Sequence, residues 1–412
     1  MVGARIITVA FAPLAMLLTA CGASTTPAPA ANAAPTKNDA KTPQLRRSPL
    51  IPESVSQRGV AFFERGVEQA PTDENQALAD FEAASKLDPE FYLSHFNAAV
   101  LHEAQGDIDH ARTAYMRAIK NNPAFAPAVL GLARLFQRHA LNTGAEKVLQ
   151  RGLLALPNSA EIHAALAQVY AKRGELELAE AEAQRALALD ERSNAALFAF
   201  AMIFRRRGQI DLSHFAIKQV IDSGEQLGRA YNELGLLQLS EEKRSDALRS
   251  FAKALEFAPN DAGILNNFGV LLMETNNYAQ AEALLARAVQ LGDGVAGFWL
   301  NYGNALRGLG RTTDAENAYK TALQKGAGSE HALYQLATLY LESVGLGGND
   351  VVRLRQAVDF LRRYSVTAGL KGEELARCEQ QLGEAQRQLR RAIRRRTRSA
   401  KHTDPKVSAL GK

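Results

Sequence analysis

Two histidines and a glutamate share one face of a predicted helix. His95 and His102 are seven residues apart, which corresponds to about two helical turns, and Glu103 follows directly. Imidazole and carboxylate groups at this spacing could bind a metal ion or transfer protons. The alternative is that both histidines are packed and hydrogen-bonded within the core.

Other motifs for enzymatic chemistry are missing from the sequence. Its two cysteines are Cys21 and Cys378, and it contains no CxxC or HExxH motif, no glycine-rich phosphate loop and no nucleophile elbow. We therefore predict a protein that is not an enzyme and that uses no metal ion and no cofactor.

Asparagines recur at a regular interval inside apolar helical segments. Asn266 and Asn267 are adjacent in ILNNFGVLL, and the interval from Asn232 to Asn266 equals that from Asn267 to Asn301. An amide side chain carries both hydrogen-bond donors and an acceptor. A row of amides could therefore bind the main chain of an extended peptide, whatever its side chains.

The same interval, thirty-four positions, organises most of the chain. It separates Pro89 from Pro123 and Pro123 from Pro157, and Pro259 follows after three further intervals. Counted from these prolines, repeats begin at residues 58, 92, 126, 160, 194, 228, 262 and 296. Small and aromatic residues recur at fixed positions within them, as at Gly303 and Tyr319. Small residues let two helices pack closely, and proline ends a helix.

This pattern resembles the tetratricopeptide repeat family, and the resemblance covers residues 58–329 as eight tandem repeats. It implies an all-α fold in which helix pairs stack into a right-handed superhelical α-solenoid. In this family the fourth and eleventh positions of the first helix hold core aromatic residues. His95 and His102 occupy those positions, which favours packed histidines over a metal or catalytic site.

The resemblance also implies a concave groove lined by positions 2, 5, 6, 9, 12 and 13 of each first helix. These positions hold amides, for peptide main chains, and arginines, which favour acidic residues or a terminal carboxylate. The candidate peptide-binding residues are Asn97, Asn232, Asn266, Asn267, Asn301, Asn304, Arg134, Arg205, Arg229 and Arg307. Alternatively, the asparagines are tolerated at exposed positions or hydrogen-bond between adjacent repeats.

Beyond residue 329 the pattern weakens. We predict a degenerate ninth repeat at 330–370, with a loop insertion that contains Gly345, Gly347 and Gly348. A basic capping helix at 371–398 and a disordered tail at 399–412 are predicted to follow. The chain carries a net charge of +5, whereas residues 351–412 alone hold 16 Lys and Arg against 6 Asp and Glu. This basic end could contact anionic lipid or an acidic partner, or it could be a solvated face; we expect no nucleic acid as partner.

The first residues are typical of an export signal. The uncharged run that follows Arg5 is shorter than the ~20 residues of a membrane-spanning helix, which favours a signal peptide at 1–20. Leu18-Thr19-Ala20-Cys21 resembles the lipobox of bacterial lipoproteins, which implies cleavage before Cys21 and a covalent lipid on its thiol. The alternative is an uncleaved anchor in which the cysteine occurs by chance. In the lipoprotein family a residue other than Asp after the cysteine, here Gly22, implies delivery to the outer membrane, on its periplasmic face. The Ala- and Pro-rich segment 21–57 is predicted to be a disordered tether.

Lipoproteins with such repeats include pilotins, which assist secretins of type IV pili, and gliding-motility components. The resemblance to them implies a membrane-anchored periplasmic scaffold that binds envelope proteins, in particular secretin or motility components, for the assembly of a motility or secretion machine. The alternatives are an adaptor for peptidoglycan enzymes and a periplasmic glycan- or lipid-binding protein.

Overall fold

The computed structural model describes residues 51–326, 330–343 and 349–403. Across these ranges the regular structure is helical, with nineteen helices and no strand, so the predicted all-α solenoid is confirmed. Four predicted features lie outside the described residues: the signal peptide, Cys21 with the tether up to residue 50, the three glycines of the loop insertion, and residues 404–412. The end of the predicted disordered tether is ordered instead, because Ile51 and Val55 pack against the first core cluster and a helix begins at Gln57.

The helices alternate between the first helix (A) and the second helix (B) of each repeat. The A helices are α1 (Gln57–Gln69), α3 (Tyr92–Ala104), α5 (Ala126–Arg138), α7 (Ala160–Arg173), α9 (Asn194–Arg206), α11 (Leu227–Ser240), α13 (Ala262–Glu274), α15 (Ala296–Gly308) and α17 (Glu330–Glu342). The B helices are α2 (Glu74–Leu87), α4 (Ile108–Asn121), α6 (Asn142–Ala155), α8 (Leu176–Leu189), α10 (Ile210–Asp222), α12 (Arg244–Phe257), α14 (Tyr278–Leu291), α16 (Thr312–Gln324) and α18 (Asp350–Thr367), and α19 (Gly372–Thr403) follows. The first eight A helices begin within one residue of the repeat starts counted from the prolines.

Each A helix packs against its own B helix, and each B helix packs against the A helix that follows. A helices of successive repeats also touch, as α7 and α9 do, so they form one continuous inner layer. The apolar core is accordingly a series of clusters, from one around Phe63 and Phe81 in the first repeat to one around Ala337 and Leu361 in the last. No repeat buries its apolar face alone, and stacking provides that burial.

Glycine at the eighth position of an A helix lets an aromatic ring of the B helix pack against the backbone. A Cβ atom at Gly235 would lie 2.8 Å from the Phe251 ring, and one at Gly303 would lie 2.5 Å from the Tyr319 ring. Both rings are fully buried. The small residues of the repeat pattern therefore set how closely the two helices approach.

The ends of the helices follow the sequence locally. Helices α2, α4, α6 and α12 each end two residues before one of the four spaced prolines. The side chains of Asp107, Ser159 and Asp261 accept hydrogen bonds from backbone N–H groups in the first turns of α4, α7 and α13. Such caps satisfy donors that have no partner within the helix.

The final helix covers the end of the stack, as predicted for a capping helix. Cys378 and Ala385 of α19 are buried against Val358 and Leu361. The helix extends to Thr403, so the predicted boundary at 398 was too early, and residues 399–403, predicted as part of a disordered tail, are helical. None of the nineteen described helices is both long and apolar enough to cross a membrane.

Candidate functional site

Four asparagines of three successive A helices form a hydrogen-bonded chain. Asn267 Nδ2 donates to Asn232 Oδ1 at 3.0 Å, and Asn301 Nδ2 donates to Asn266 Oδ1 at 2.8 Å. A longer contact of 3.5 Å joins Asn266 Nδ2 to Asn267 Oδ1. In both short bonds the sixth position of one repeat donates to the fifth position of the preceding repeat. In the structure these amides link adjacent repeats, which is one of the alternatives considered for them.

Two other candidate asparagines are also engaged within the protein. Asn97 is fully buried, which corrects its assignment to the groove lining. The Oδ1 atom of Asn304 accepts a hydrogen bond of 2.9 Å from the hydroxyl of Tyr319. The half-buried amides keep some hydrogen-bonding capacity, but a ligand would meet them already paired.

Two of the candidate arginines form ion pairs with neighbouring repeats. Arg205 Nε lies 2.6 Å from Glu233 Oε1, and the Glu233 carboxylate is buried. Arg307 Nη2 lies 2.9 Å from Glu342 Oε2, and its Nη1 donates to Gln335. These guanidinium groups stabilise the stacking of A helices and carry little free charge for a ligand.

Arg229 has only neutral hydrogen-bond partners. Its guanidinium donates to Gln168 Oε1 at 2.7 Å and to Gln226 Oε1 at 3.1 Å, and lies 4.8 Å from the centre of the Phe198 ring. The bond to Gln168 joins residues that are 61 positions apart, which links α7 to α11 across the inner surface.

The charge of Arg229 is held in an unfavourable environment. Burial lowers the pKa of its guanidinium, and the positive charges of Arg134 and Arg138 lower this pKa further. Asp261 and Glu233 act in the opposite direction. Cations of the third and sixth repeats therefore act on one another at this surface.

The sequence prediction did not include Lys172, although it lies at the thirteenth position of its repeat, one of the expected groove positions. Its ammonium donates to Gln137 Oε1 of α5 at 2.9 Å. Desolvation lowers the pKa of this amine to about 8, and the nearby charge of Arg229 lowers it as well. The signal that could have revealed this residue was the set of cations at position 13 in three consecutive repeats.

Those three cations each reach back to the preceding repeat. Arg138 Nη1 lies 2.6 Å from Glu103 Oε1, Lys172 contacts Gln137, and Arg206 Nη2 donates to the main-chain carbonyl of Lys172 at 3.1 Å. The exposed Arg134 forms neither an ion pair nor a hydrogen bond with any described residue.

We refer to Arg134, Arg138, Lys172, Arg206 and Arg229 as the inner cation cluster. It includes two of the predicted groove residues, Arg134 and Arg229. Its members come from α5, α7, α9 and α11, which are four successive A helices. Only Arg138 has a carboxylate within ion-pair distance among the described residues.

The histidines of α3 are engaged with nearby protein groups. His95 Nε2 lies 2.8 Å from the carbonyl oxygen of Pro89, and burial lowers the pKa of its imidazole. His102 stacks on the His110 ring, and burial lowers its pKa also. In the described part of the chain, no group of three or more His, Cys, Asp or Glu side chains is arranged to hold a metal ion.

Glu103, the third member of that sequence cluster, has two partners of its own. Its carboxylate accepts a hydrogen bond of 2.7 Å from the Tyr115 hydroxyl and pairs with Arg138. The carboxylate thereby joins two repeats through a tyrosine and an arginine, which is a structural role.

A second basic surface lies between α18 and α19. A shallow cleft of about 450 Å³ is lined by Arg355, Arg362 and Arg390, with Asp359 as the only carboxylate in its lining. An adjoining cleft is lined by Arg355 and Arg396 beside the partly exposed Ile393. Four arginines of the C-terminal region therefore line two adjoining clefts near the end of the solenoid.

Comparisons with known proteins agree with this architecture. Three family models, each described as a tetratricopeptide repeat, match residues 104–169, residues 75–127 and 266–330, and residues 160–193. No curated protein matches the sequence.

Two solved structures of low sequence identity are similar to this chain. One is a tetratricopeptide repeat protein from Parabacteroides merdae ATCC 43184, with 17% identity and a TM-score of 0.48, covering 61% of this chain and 100% of that one. The other is the APC/C hetero-tetramer Cut9-Hcn1, with 14% identity and a TM-score of 0.55, covering 82% of this chain and 64% of that one. The second similarity shows the fold alone. Residues 75–193 and 266–330 of this chain therefore consist of tetratricopeptide repeats, within an all-helical solenoid of the same type.

Proposed function

We propose that this protein is a lipid-anchored periplasmic scaffold that binds partner proteins on the inner surface of its solenoid. Tetratricopeptide repeats are typical of protein-protein interaction scaffolds, which supports protein partners in general. The observation that carries the proposal is the inner cation cluster, in which four of the five charges have no carboxylate partner among the described residues. Unpaired charge on a preformed inner surface favours a polar partner.

The anchoring part of the proposal depends on Cys21. A diacylglycerol on its thiol, together with acylation of the new amino terminus, would hold the protein firmly on a membrane. The segment after Cys21 would then act as a tether between lipid and solenoid. Substitution Cys21→Ser should move the protein from the outer-membrane fraction to the soluble periplasmic fraction and abolish labelling with radioactive palmitate. Unchanged fractionation and labelling would refute the lipid anchor.

For the biological setting, we propose the assembly of an envelope-spanning machine for motility, by gliding or type IV pili, or for secretion. Secretin and motility components are the corresponding partners. The alternatives are an adaptor for peptidoglycan enzymes and a glycan- or lipid-binding protein. Aromatic rings for sugar stacking would favour the glycan alternative, but Phe96 and Phe198, which hold the fifth position of α3 and α9, are buried.

Site-specific crosslinking tests partner binding on the inner surface. A photoreactive amino acid at Leu130, at the fifth position of α5, should capture an envelope protein in intact cells. The matched control is Leu154 at the end of the B helix α6, whose side chain is 85% exposed. Capture of the same proteins from both positions, or from Leu154 alone, would exclude the inner surface as the binding site. Mass spectrometry of the captured protein would identify the machine.

The basic cleft between α18 and α19 supports a second contact, with anionic lipid headgroups. Three arginines and one aspartate line it, and arginine binds phosphate through paired hydrogen bonds. Full-length Arg390→Gln should bind vesicles that contain phosphatidylglycerol less tightly than the parent chain, with a smaller difference at high salt. Arg249→Gln, on the distant helix α12, is the control. Equal loss in both variants, or in neither, would refute the contact.

A further inference from the structure

The inner cation cluster brings together positive charges that the sequence spreads over four repeats. Arg134, Lys172 and Arg229 belong to the third, fourth and sixth repeats, respectively. Two hydrogen bonds connect these regions: Lys172 Nζ to Gln137 of α5, and Arg229 Nη2 to Gln168 of α7. Gln137 and Arg134 lie one helical turn apart in α5, as do Gln168 and Lys172 in α7. The two bonds thus bring α5, α7 and α11 together around one surface.

The local balance of charge at this surface is positive. Arg138 and Arg205 are paired with Glu103 and Glu233, respectively. Besides the paired Glu233, the carboxylate that acts on Lys172 and Arg229 is Asp261, which also caps α13. Arg134, Lys172, Arg206 and Arg229 have no carboxylate within ion-pair distance among the described residues, which leaves an excess of positive charge.

This excess contrasts with the rest of the repeats. Residues 351–412 carry a net +10 and the whole chain only +5, so residues 1–350 are net acidic. The basic surface attracts anionic segments, and the surrounding acidic faces repel them. The attraction is strongest where the charges have neutral partners, as Lys172 and Arg229 have.

We propose that this surface binds an extended, acidic segment of a partner protein, with Arg134, Lys172 and Arg229 contacting its carboxylates. This inference rests on the proposed scaffold function and specifies the chemistry of the partner. Guanidinium and ammonium groups donate strong hydrogen bonds to carboxylates, and each would exchange a neutral or solvent partner for a charged one. The Phe198 ring beneath Arg229 orients the guanidinium for this contact.

Binding of a defined probe to the full-length chain tests the proposal. The probe is a fluorescein-labelled, N-acetylated peptide of alternating Asp and Ser, and its control is the same peptide with Asn in place of Asp. Fluorescence anisotropy should show binding of the Asp peptide only. Arg134→Gln and Lys172→Gln should each weaken it about 3- to 10-fold, the cost of one charged contact at a partly exposed site.

Controls separate this surface from the basic C-terminal helix, which could also attract the probe. Arg249→Gln and Arg394→Gln, each substituting an exposed arginine outside the cluster, should bind the probe as the parent chain does. Loss of binding in Arg394→Gln but not in Lys172→Gln would place the probe on α19 and overturn the proposal. Self-association of the chain that disappears in Lys172→Gln would also overturn it, because the occupant would then be a second copy.

The outcome also distinguishes the proposal from the scaffold function on which it rests. Capture of an envelope protein from Leu130 without binding of the Asp peptide would leave a protein-binding inner surface and refute its acidic specificity. Failure of both experiments would refute both.

Discussion

The asparagine chain should make a measurable contribution to the coupling between repeats, and a double-mutant cycle on Asn266 and Asn301 isolates it. The hydrogen bond from Asn301 Nδ2 to Asn266 Oδ1 is 2.8 Å long and joins α15 to α13. A bond of this kind contributes about 0.5–1.5 kcal/mol to the free energy of unfolding. Alanine is the better helix former by up to about 0.6 kcal/mol, which offsets part of the loss in each single variant.

The single variants will therefore be only slightly destabilised, and the interaction will show as non-additivity. We expect the double variant Asn266→Ala/Asn301→Ala to be more stable than the sum of the single effects predicts, by about 0.5–1.5 kcal/mol. Urea denaturation followed by circular dichroism measures these free energies. Because repeat proteins unfold through partly folded species, hydrogen exchange of amides in α13 and α15 provides a local measurement of the same coupling.

The control cycle combines Asn266 with Asn194, whose side chain bonds to Glu225 at 2.9 Å in another part of the solenoid. Effects at such independent sites should add within about 0.5 kcal/mol. A coupling between Asn266 and Asn301 as small as that of the control pair would show that the amides do not stabilise one another. The peptide-binding interpretation would then regain its place as the explanation of these residues.

Three further predictions follow from the inner surface and from the helix packing. Binding of the Asp peptide should weaken as the pH rises through about 8, because the ammonium of Lys172 loses its proton there. The groups that face this ammonium are Arg229, Arg206, Gln137, Glu233 and Asp261. Lys172→Arg should remove the pH dependence. Gly303→Ala should lower the melting temperature, because the new Cβ would lie 2.5 Å from the Tyr319 ring, at a cost of about 1–3 kcal/mol in the free energy of unfolding. The matched control is Gly297→Ala, whose new Cβ would have no atom within 4 Å. This control should leave the melting temperature unchanged or raise it. Arg205→Ala should destabilise the chain by about 3 kcal/mol in urea denaturation because it leaves the buried Glu233 unpaired, and adding Glu233→Gln should recover part of this loss.

The helices and their stacking were predictable because one local pattern recurs. Gly303 and Tyr319 lie within the same repeat, and their contact needs only the geometry of one helix pair. The end of α19 was less predictable, because its arginine-rich composition is compatible with both a helix and a disordered tail. Arginine is a good helix former, and the helix continues to Thr403.

The roles of the inner polar residues could not be predicted, because their partners come from other repeats. Asn267 and Asn232 are 35 residues apart, and Arg229 and Gln168 are 61 residues apart. Sequence periodicity indicates which residues face inward, but it does not show which of them satisfy one another. Pairing depends on the distance between A helices, which the stacking alone sets.

These pairings divide the inner surface of the solenoid into two parts with different capacities for binding. In α11, α13 and α15 the amides of successive repeats bond to each other, so only part of their hydrogen-bonding capacity is left for a ligand. Arg134, Lys172 and Arg229, in α5, α7 and α11, have neutral partners or solvent, and a carboxylate would replace weaker bonds with stronger ones. Binding energy for an acidic partner should therefore be concentrated between the third and sixth repeats, while the later repeats mainly hold the stack together.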